Sequence, residues 1–357
     1  MNTVYLIGWY VMVHMRRNDL IYFTASNTAQ GFLNYFEDAF CSDDRVYILK
    51  GGPGTGKSYF LKQAAEAAEQ RGLLYEKYLC SSDPDSLDGI RIPERGIALF
   101  DGTAPHTLEP KLPGAREEIL NLGQFWNSGM LRTKREQIKA LSDKKAEAYD
   151  EALTNLKLAG QCALDRHRIL KKHLNSEKMH RAAELFLKKI PYKEGKALPR
   201  PMRTFGMRGE YTLETFSRLA QKIFVLSPLY GIEHLYLEIL LLAGKEQGRE
   251  MEYSPHPITP SLPEAVYFPS SGVLVTAMAG AMGKNVGTRR FLLQGSLGDD
   301  GSMIRFLLDG ERRFINAATD AFYEMRKHHF ALEELYGAAM DFDKKEMFTK
   351  SFLAELF

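Results

Sequence analysis

The sequence predicts an α/β fold in which strands and helices alternate around parallel sheets. The pattern is laid out twice along the chain, with a helical insertion in between. Three observations carry this expectation. An apolar run, Val46–Leu49, enters a glycine-rich loop and a helical pattern leaves it. The same succession returns about 176 residues further on. Between them, Leu131–Lys189 holds no proline and repeats apolar residues at three- and four-residue steps: Ile138, Leu141, Tyr149, Leu153, Leu156, Ile169.

The bulk numbers agree. A chain of 357 residues is long for one hydrophobic core and comfortable for two. Its 45% hydrophobic and 26% charged content is that of an ordinary globular protein, and a net charge of +2 excludes a polyelectrolyte. Cys41, Cys80 and Cys162 lie far apart with no Cys-x-x-Cys pair, against a disulfide framework or a zinc site. That usage fits a reducing compartment, so a cytoplasmic location is expected. Near the start, Val4–Val13 is nearly all apolar. It is too short to span a hydrocarbon core of about 30 Å and lacks a charged segment before it. It reads as an extra strand or an artefact of start-codon choice, Met15 being an alternative start, and no membrane span is expected.

In the first half, strand Val46–Leu49 is followed by the loop and a helix from Ser58 to Gln70, ended by Arg71-Gly72. Strand Leu73–Leu79, the landmarks Pro84, Leu87, Asp88 and Ile92-Pro93, and strand Ile97–Phe100 ending at Asp101 complete the unit. In the second half, strand Ile223–Leu226, loop Ser227–Gly231, helix Ile232–Glu246, strand Met251–Tyr253, Pro260, Phe268-Pro269 and strand Gly272–Val275 repeat the order. Ala183–Phe186 and Ala354–Phe357 close the halves alike. The expected division is an N-terminal extension over 1–19 and a first unit over 20–190, with its helical segment at 131–190. A linker over 191–203 and a second unit over 204–357 complete it.

Gly51-Gly52-Pro53-Gly54-Thr55-Gly56-Lys57-Ser58 matches the phosphate-binding loop at every fixed position. Glycines let backbone N–H groups turn inward, and the following helix brings its positive end to the phosphates. Lys57 is the expected contact to the β- and γ-phosphates, Ser58 the expected Mg²⁺ ligand, and Tyr59 follows within the binding segment. Ile97–Asp101, four apolar residues ending in a carboxylate, reads as the neighbouring Walker B type strand, with Asp101 facing the metal. Together these predict ATP and Mg²⁺. Nothing in the loop reads the base, but no Asn-Lys-x-Asp guanine motif appears later, so ATP is the default. Gly102 stands where AAA-type ATPases carry a catalytic Glu. The attacking group would then be oriented by Asp83, Asp85 or Asp88, in a loop at a strand's carboxyl end, or by His106, with Lys111 and Arg116 as further cations. The bland alternatives are turn chemistry for the Asp-rich loop and a structural histidine.

At the second loop, residue-by-residue alignment sets His234 against Lys57, Leu235 against Ser58 and Ala277 against Asp101, with Glu233 adding repulsion. The second copy is therefore expected to be degenerate. Lys284, Arg289 and Arg290 are candidates to supply a cation across a pseudo-dimer of the two halves. Residues 131–200 hold 18 Lys and Arg against 9 Asp and Glu. This is a solvated basic face, a lid over nucleotide, or a surface for a protein or anionic partner. A homo-oligomer is a further option.

Together, Leu49–Ser58, Cys80–Gly89, Ile92-Pro93-Glu94 and Phe100–His106 resemble a family of bacterial tandem P-loop ATPases. The resemblance covers the first half closely and the second in layout; the second loop departs from it. It implies ATP binding and names no substrate. The functional expectation is an ATP-binding protein acting as a Mg-dependent ATPase or a nucleotide-driven switch, the alternative being a small-molecule or nucleotide kinase.

Overall fold

A computed structural model of the chain describes residues 20–40, 43–104, 107–294 and 297–357. The apolar run Val4–Val13 and the rest of residues 1–19 lie outside them, as do Cys41 and His106. The first half runs β1 (Ile21–Phe23), a hairpin of β2 (Ala25–Thr28) and β3 (Gly31–Asn34), α1 (Phe36–Phe40), β4 (Arg45–Lys50), α2 (Lys57–Gln70), β5 (Glu76–Leu79), β6 (Leu87–Ile92), β7 (Ile97–Asp101), β8 (Glu117–Asn121), α3 (Ser128–Thr133), α4 (Arg135–Lys171) and α5 (Ser176–Leu187). The second runs β9 (Ala197–Pro199), a hairpin of β10 (Arg203–Gly206) and β11 (Gly209–Thr212), α6 (Thr215–Leu219), β12 (Lys222–Leu226), α7 (Ile232–Glu246), β13 (Met251–Pro255), β14 (Pro263–Phe268), β15 (Val273–Thr276), β16 (Lys284–Val286), α8 (Gly301–Gly337) and α9 (Phe342–Leu356).

Each half forms a six-stranded sheet, in the orders β1-β5-β6-β7-β4-β8 and β9-β13-β14-β15-β12-β16. The sheets are mixed, which corrects the expectation of parallel ones. β6 runs antiparallel to both β5 and β7, and β14 antiparallel to both β13 and β15. The reason is loop length. Cys80–Ser86 and Pro93–Gly96 are far shorter than the dozen or so residues a parallel crossover needs. The segment read as a linker also joins the structure, because its Ala197–Pro199 pairs parallel with β13.

Local sequence explains the elements that carry the site. Val46–Leu49 is buried throughout, as a central strand covered on both faces must be. Phe60, Leu61, Ala64, Ala65 and Ala68 make one buried stripe on α2. On α4 the stripe is mostly small (Ala148, Ala152, Leu156, Ala159, Ala163), which lets α8 approach with Ala318, Ala321, Phe322 and Met325. Each of these helices has 37 residues, about 55 Å at helical rise. Arg166 beside Glu311 and Tyr149 beside Phe322 fix them as antiparallel.

The terminal helices are exchanged. Met179, Ala183 and Leu187 of α5 pack with Leu237, Leu240, Val266 and Phe268 of the second half. Leu353 and Leu356 of α9, with Phe348 and Phe352 beside them, pack with Tyr47, Phe60, Leu61 and Leu99 of the first. The inner faces of the two sheets share one further core, including Val46, Ile48, Ala98 and Phe100 with Ala265, Tyr267 and Leu274. Buried Arg200 spans the junction. It donates to Tyr78 Oη at 2.8 Å and lies 3.4 Å from Glu252 and 4.0 Å from Glu76. No helix among the described residues is long and apolar enough to cross a membrane.

Leu187 is fully buried, so Leu187→Ala should cost about 2–5 kcal/mol. Although Leu187 precedes the second half in the chain, the lost hydrogen-exchange protection should fall on α7 and β14, not on α2. Urea unfolding and peptide-level exchange test both points.

Candidate functional site

The glycine loop joins β4 to α2 at the carboxyl ends of the parallel strands. Pairing of β4 with β7 sets Leu49 opposite Asp101, which brings the carboxylate to the start of the loop. Lys57, first residue of α2, folds back across the loop. Its ammonium donates to the carbonyls of Gly51 at 2.7 Å and Gly52 at 3.0 Å, and stands 3.5 Å from Asp101. Thr103 ties the other side: its amide donates to Asp101 at 2.8 Å and its hydroxyl to Gly51 O at 2.9 Å. Burial pushes the Asp101 carboxyl above the usual range; Lys57 and Thr103 pull it back, while Asp88 adds to the rise. Thr55 is buried and donates to Gly52 O at 2.9 Å, and Ser58 Oγ accepts from the Leu87 amide at 2.9 Å.

The loop's shape depends on two glycines. Gly56 caps α2 in the left-handed region (φ 76°) with no side-chain cap, leaving the first helical amides without intrahelical acceptors. Gly54 (φ 71°) abuts the end of α8, where a Cβ would lie 2.4 Å from Glu333 O. Pro53 sits in the turn between Gly52 and Gly54. Trp126 covers Gly52, 3.3 Å from where its Cβ would be, and packs on Tyr336. A cavity of about 700 Å³ lies beside it, between residues 124–127 and 338–344.

Other residues singled out from sequence are distributed differently. Asp83 and Asp85 are both ion-paired with Arg208, in the turn between β10 and β11; the Asp83 contact is 3.2 Å. Met207 N donates to Ser82 O at 2.8 Å, so the second half's hairpin clamps this loop. Asp88 stays near the site, adjacent to Leu87 and acting on Asp101. His106 lies outside the described residues. Lys111 and Arg116 belong to the opposite end of the sheet, where Lys111 pairs with Glu37 and Arg116 with Glu117 and the Asp43 and Phe40 carbonyls. Of the expected cross-half cations, Arg290 lies over Phe291 and its carbonyl accepts from Lys178, on the second half's side.

The cations actually brought to the loop were not singled out. Lys345 of α9 lies beside Gly56 and over the Tyr59 ring, 4.7 Å away. Lys145 of α4 has Cys80, Glu333 and Lys57 as electrostatic neighbours, and burial pushes its pKa down. Lys145 belongs to the basic segment, some of whose other charges form exposed pairs such as Lys139–Asp143 and Arg181–Glu177. Lys345 has no local sequence signal. Nor does the sequence gather a metal cage: among the described residues no group of three or more His, Cys, Asp or Glu could hold an ion.

The second loop keeps the frame and inverts the charge. Gly231, left-handed at φ 101°, caps α7 as Gly56 caps α2. It falls five residues after Leu226, where Gly56 falls seven after Leu49, so this loop is two residues shorter. Ile232 therefore matches Lys57 and Glu233 matches Ser58, in place of the expected His234 and Leu235; Ala277 still matches Asp101. The Glu233 carboxylate accepts from the Leu229 amide at 2.8 Å. Burial pushes its pKa up, offset by backbone amides and Arg166. Arg166 pairs with Glu311 at 3.0 Å, and His167 closes over Gly231, its Nε2 2.4 Å from the Cβ position. Comparison with protein families, curated proteins and solved structures finds no match.

Burial, aided by Arg166, lowers His167 to about 2, and burial lowers His234 to about 4 and His256 well below its ordinary value. These groups are neutral in the folded chain at pH values where the unfolded chain protonates them. Stability is therefore fully present above the unfolded pKa of about 6.5 and is lost as pH falls below it, by about 1.4 kcal/mol per unit for each histidine. Urea midpoints from pH 7.5 to 5 should fall, and His167→Phe should flatten the slope.

Proposed function

We propose that this chain is an ATP-binding protein of the P-loop type, two tandem copies of one NTPase-like unit, with a single Mg-ATP site in the first half. The carrying observation is the arrangement of Lys57, Ser58 and Asp101 around an uncapped helix N-terminus. The Lys57 ammonium rests on the loop carbonyls and Asp101, contacts it can exchange for phosphate oxygens. Ser58 and Asp101 are hard oxygen donors, the sparse protein set that suits Mg²⁺, which keeps several waters and takes phosphate oxygens as well. Bound Mg-ATP would supply a polarised γ-phosphate. The chain's own work is to hold the phosphates on the loop amides and neutralise their charge with Lys57.

The second copy is silent on this reading. At the positions of Lys57 and Ser58 it carries Ile232 and Glu233, and its amides already serve Glu233, an internal carboxylate where phosphate would sit. The repeated element order and strand order support duplication. ATPase or switch is favoured over kinase because Asp83 and Asp85, the bases a kinase would use, are held by Arg208. The absent Glu after Asp101 favours slow turnover. A cytoplasmic setting is proposed on cysteine usage alone.

Calorimetric titration with Mg-ATP should give one site per chain, and Lys57→Ala should weaken binding at least about a hundredfold, the worth of charge-assisted phosphate contacts. Phosphate release without acceptor, lost in Lys57→Ala, indicates an ATPase; binding without release, a switch. ADP formed only with an added acceptor would transfer the assignment to a kinase, and no binding at all would end the reading.

A further inference from the structure

α9, which packs on the first half, carries Lys345, among the described residues the one lysine in the set of largest fully buried side chains, at 2% exposure. Burying an ammonium is costly unless an anion compensates it. Among the described residues Lys345 Nζ has no ion-pair or hydrogen-bond partner; its contact is the Tyr59 ring face at 4.7 Å, and Glu346 acts on it only through space. Glu346, next in the helix, is turned to Gln63 at 2.8 Å and Lys350 at 3.6 Å.

The surroundings make the position more unfavourable still. Lys345 Nζ and Cε both lie 3.6 Å from where a Gly56 Cβ would stand. Gly56 is the cap of α2, whose N-terminus carries about half a positive charge. Lys57 follows directly. A buried cation and a helix N-terminus meet here, and burial holds Lys345 below the usual lysine range, with Glu346 pulling the other way. Such a convergence is the electrostatic complement of a polyanion.

We propose that Lys345 is a phosphate-binding residue of the first-half nucleotide site, supplied by the second half, so that the site is completed only when α9 is docked. The inference rests on the ATP-binding reading above and deepens it. The silent half then has a part in the chemistry. Its last helix delivers a cation to the bound phosphates, and nucleotide in turn strengthens the docking of that helix. The linkage is reciprocal, as any coupling of two binding events must be.

The test uses the full chain, with Mg-ATP and Mg-tripolyphosphate as calorimetric probes. Lys345→Met keeps length and removes charge; it should bind both probes about ten- to a hundredfold more weakly, the range of charge-assisted hydrogen bonds. The ligand-free variant should melt no lower than wild type, because a buried uncompensated charge has been removed. Lys345→Arg should recover part of the affinity. Binding within twofold of wild type by Lys345→Met overturns the inference and leaves the ATP site intact. Weakened ATP with unchanged tripolyphosphate binding also overturns it, since the contact would then not be to phosphate. If the variant does not fold, wild-type hydrogen exchange decides: Mg-ATP should slow exchange over residues 342–356, and no slowing sinks the proposal. Wild type binding neither probe removes the ATP reading itself.

Discussion

Neither sheet covers its own outer face alone, and the rest of the structure follows from that. α5 leaves the first half to pack on α7 and the second sheet, while α9 returns from the second half to pack on α2 and the first. The stripe formed by Met179, Ala183 and Leu187 would face water in an isolated first half, as would Leu353 and Leu356 in an isolated second. With the shared inner core and the α4–α8 pair, the exchange packs the two halves into one body. A glycine loop that would be a surface feature of one unit is therefore roofed by the other, through Glu333 and Tyr336 of α8 and Lys345 of α9.

The same frame is used twice with opposite electrostatics. Around the first loop lie cations: Lys57 across the carbonyls, Lys345 at the cap, Lys145 behind. Around the second, the amides turn to Glu233, with Arg166 and the neutral histidines filling the space above. On the reading proposed above, the first arrangement leaves positive charge for a bound anion to match, while the second is matched from within. Buried charges elsewhere are also matched internally. Arg200 bridges Glu76 and Glu252 between the sheets, and Arg203 holds Glu264 at 2.6 Å. Pairs like these contribute little net stability, since desolvation offsets much of the attraction. They penalise any other docking of the halves, because a misplaced half would leave a charge buried without a partner.

What the sequence by itself determined was local. Glycine sterics, the period of α2 and α7, the apolar runs of β4 and β7 and the spacing from Lys57 to Asp101 all depend on near neighbours, so they could be read directly. The recurrence of landmarks likewise anticipated two runs of strands, which the structure gathers into two six-stranded sheets. Tertiary structure decided what depends on distant partners. β6 and β14 run antiparallel because their connecting loops are short, while the residues themselves would suit either direction. The second loop aligns on Gly231, a match set by backbone conformation that residue counting missed by two positions. Asp83 and Asp85 look available in the sequence, yet Arg208, more than 120 residues away, neutralises them. Lys345 is an ordinary surface-helix lysine until α9 crosses to the other half and buries it against Gly56. Sequence periodicity says which face of a helix is apolar; only packing says whose core that face enters and which charges it carries along.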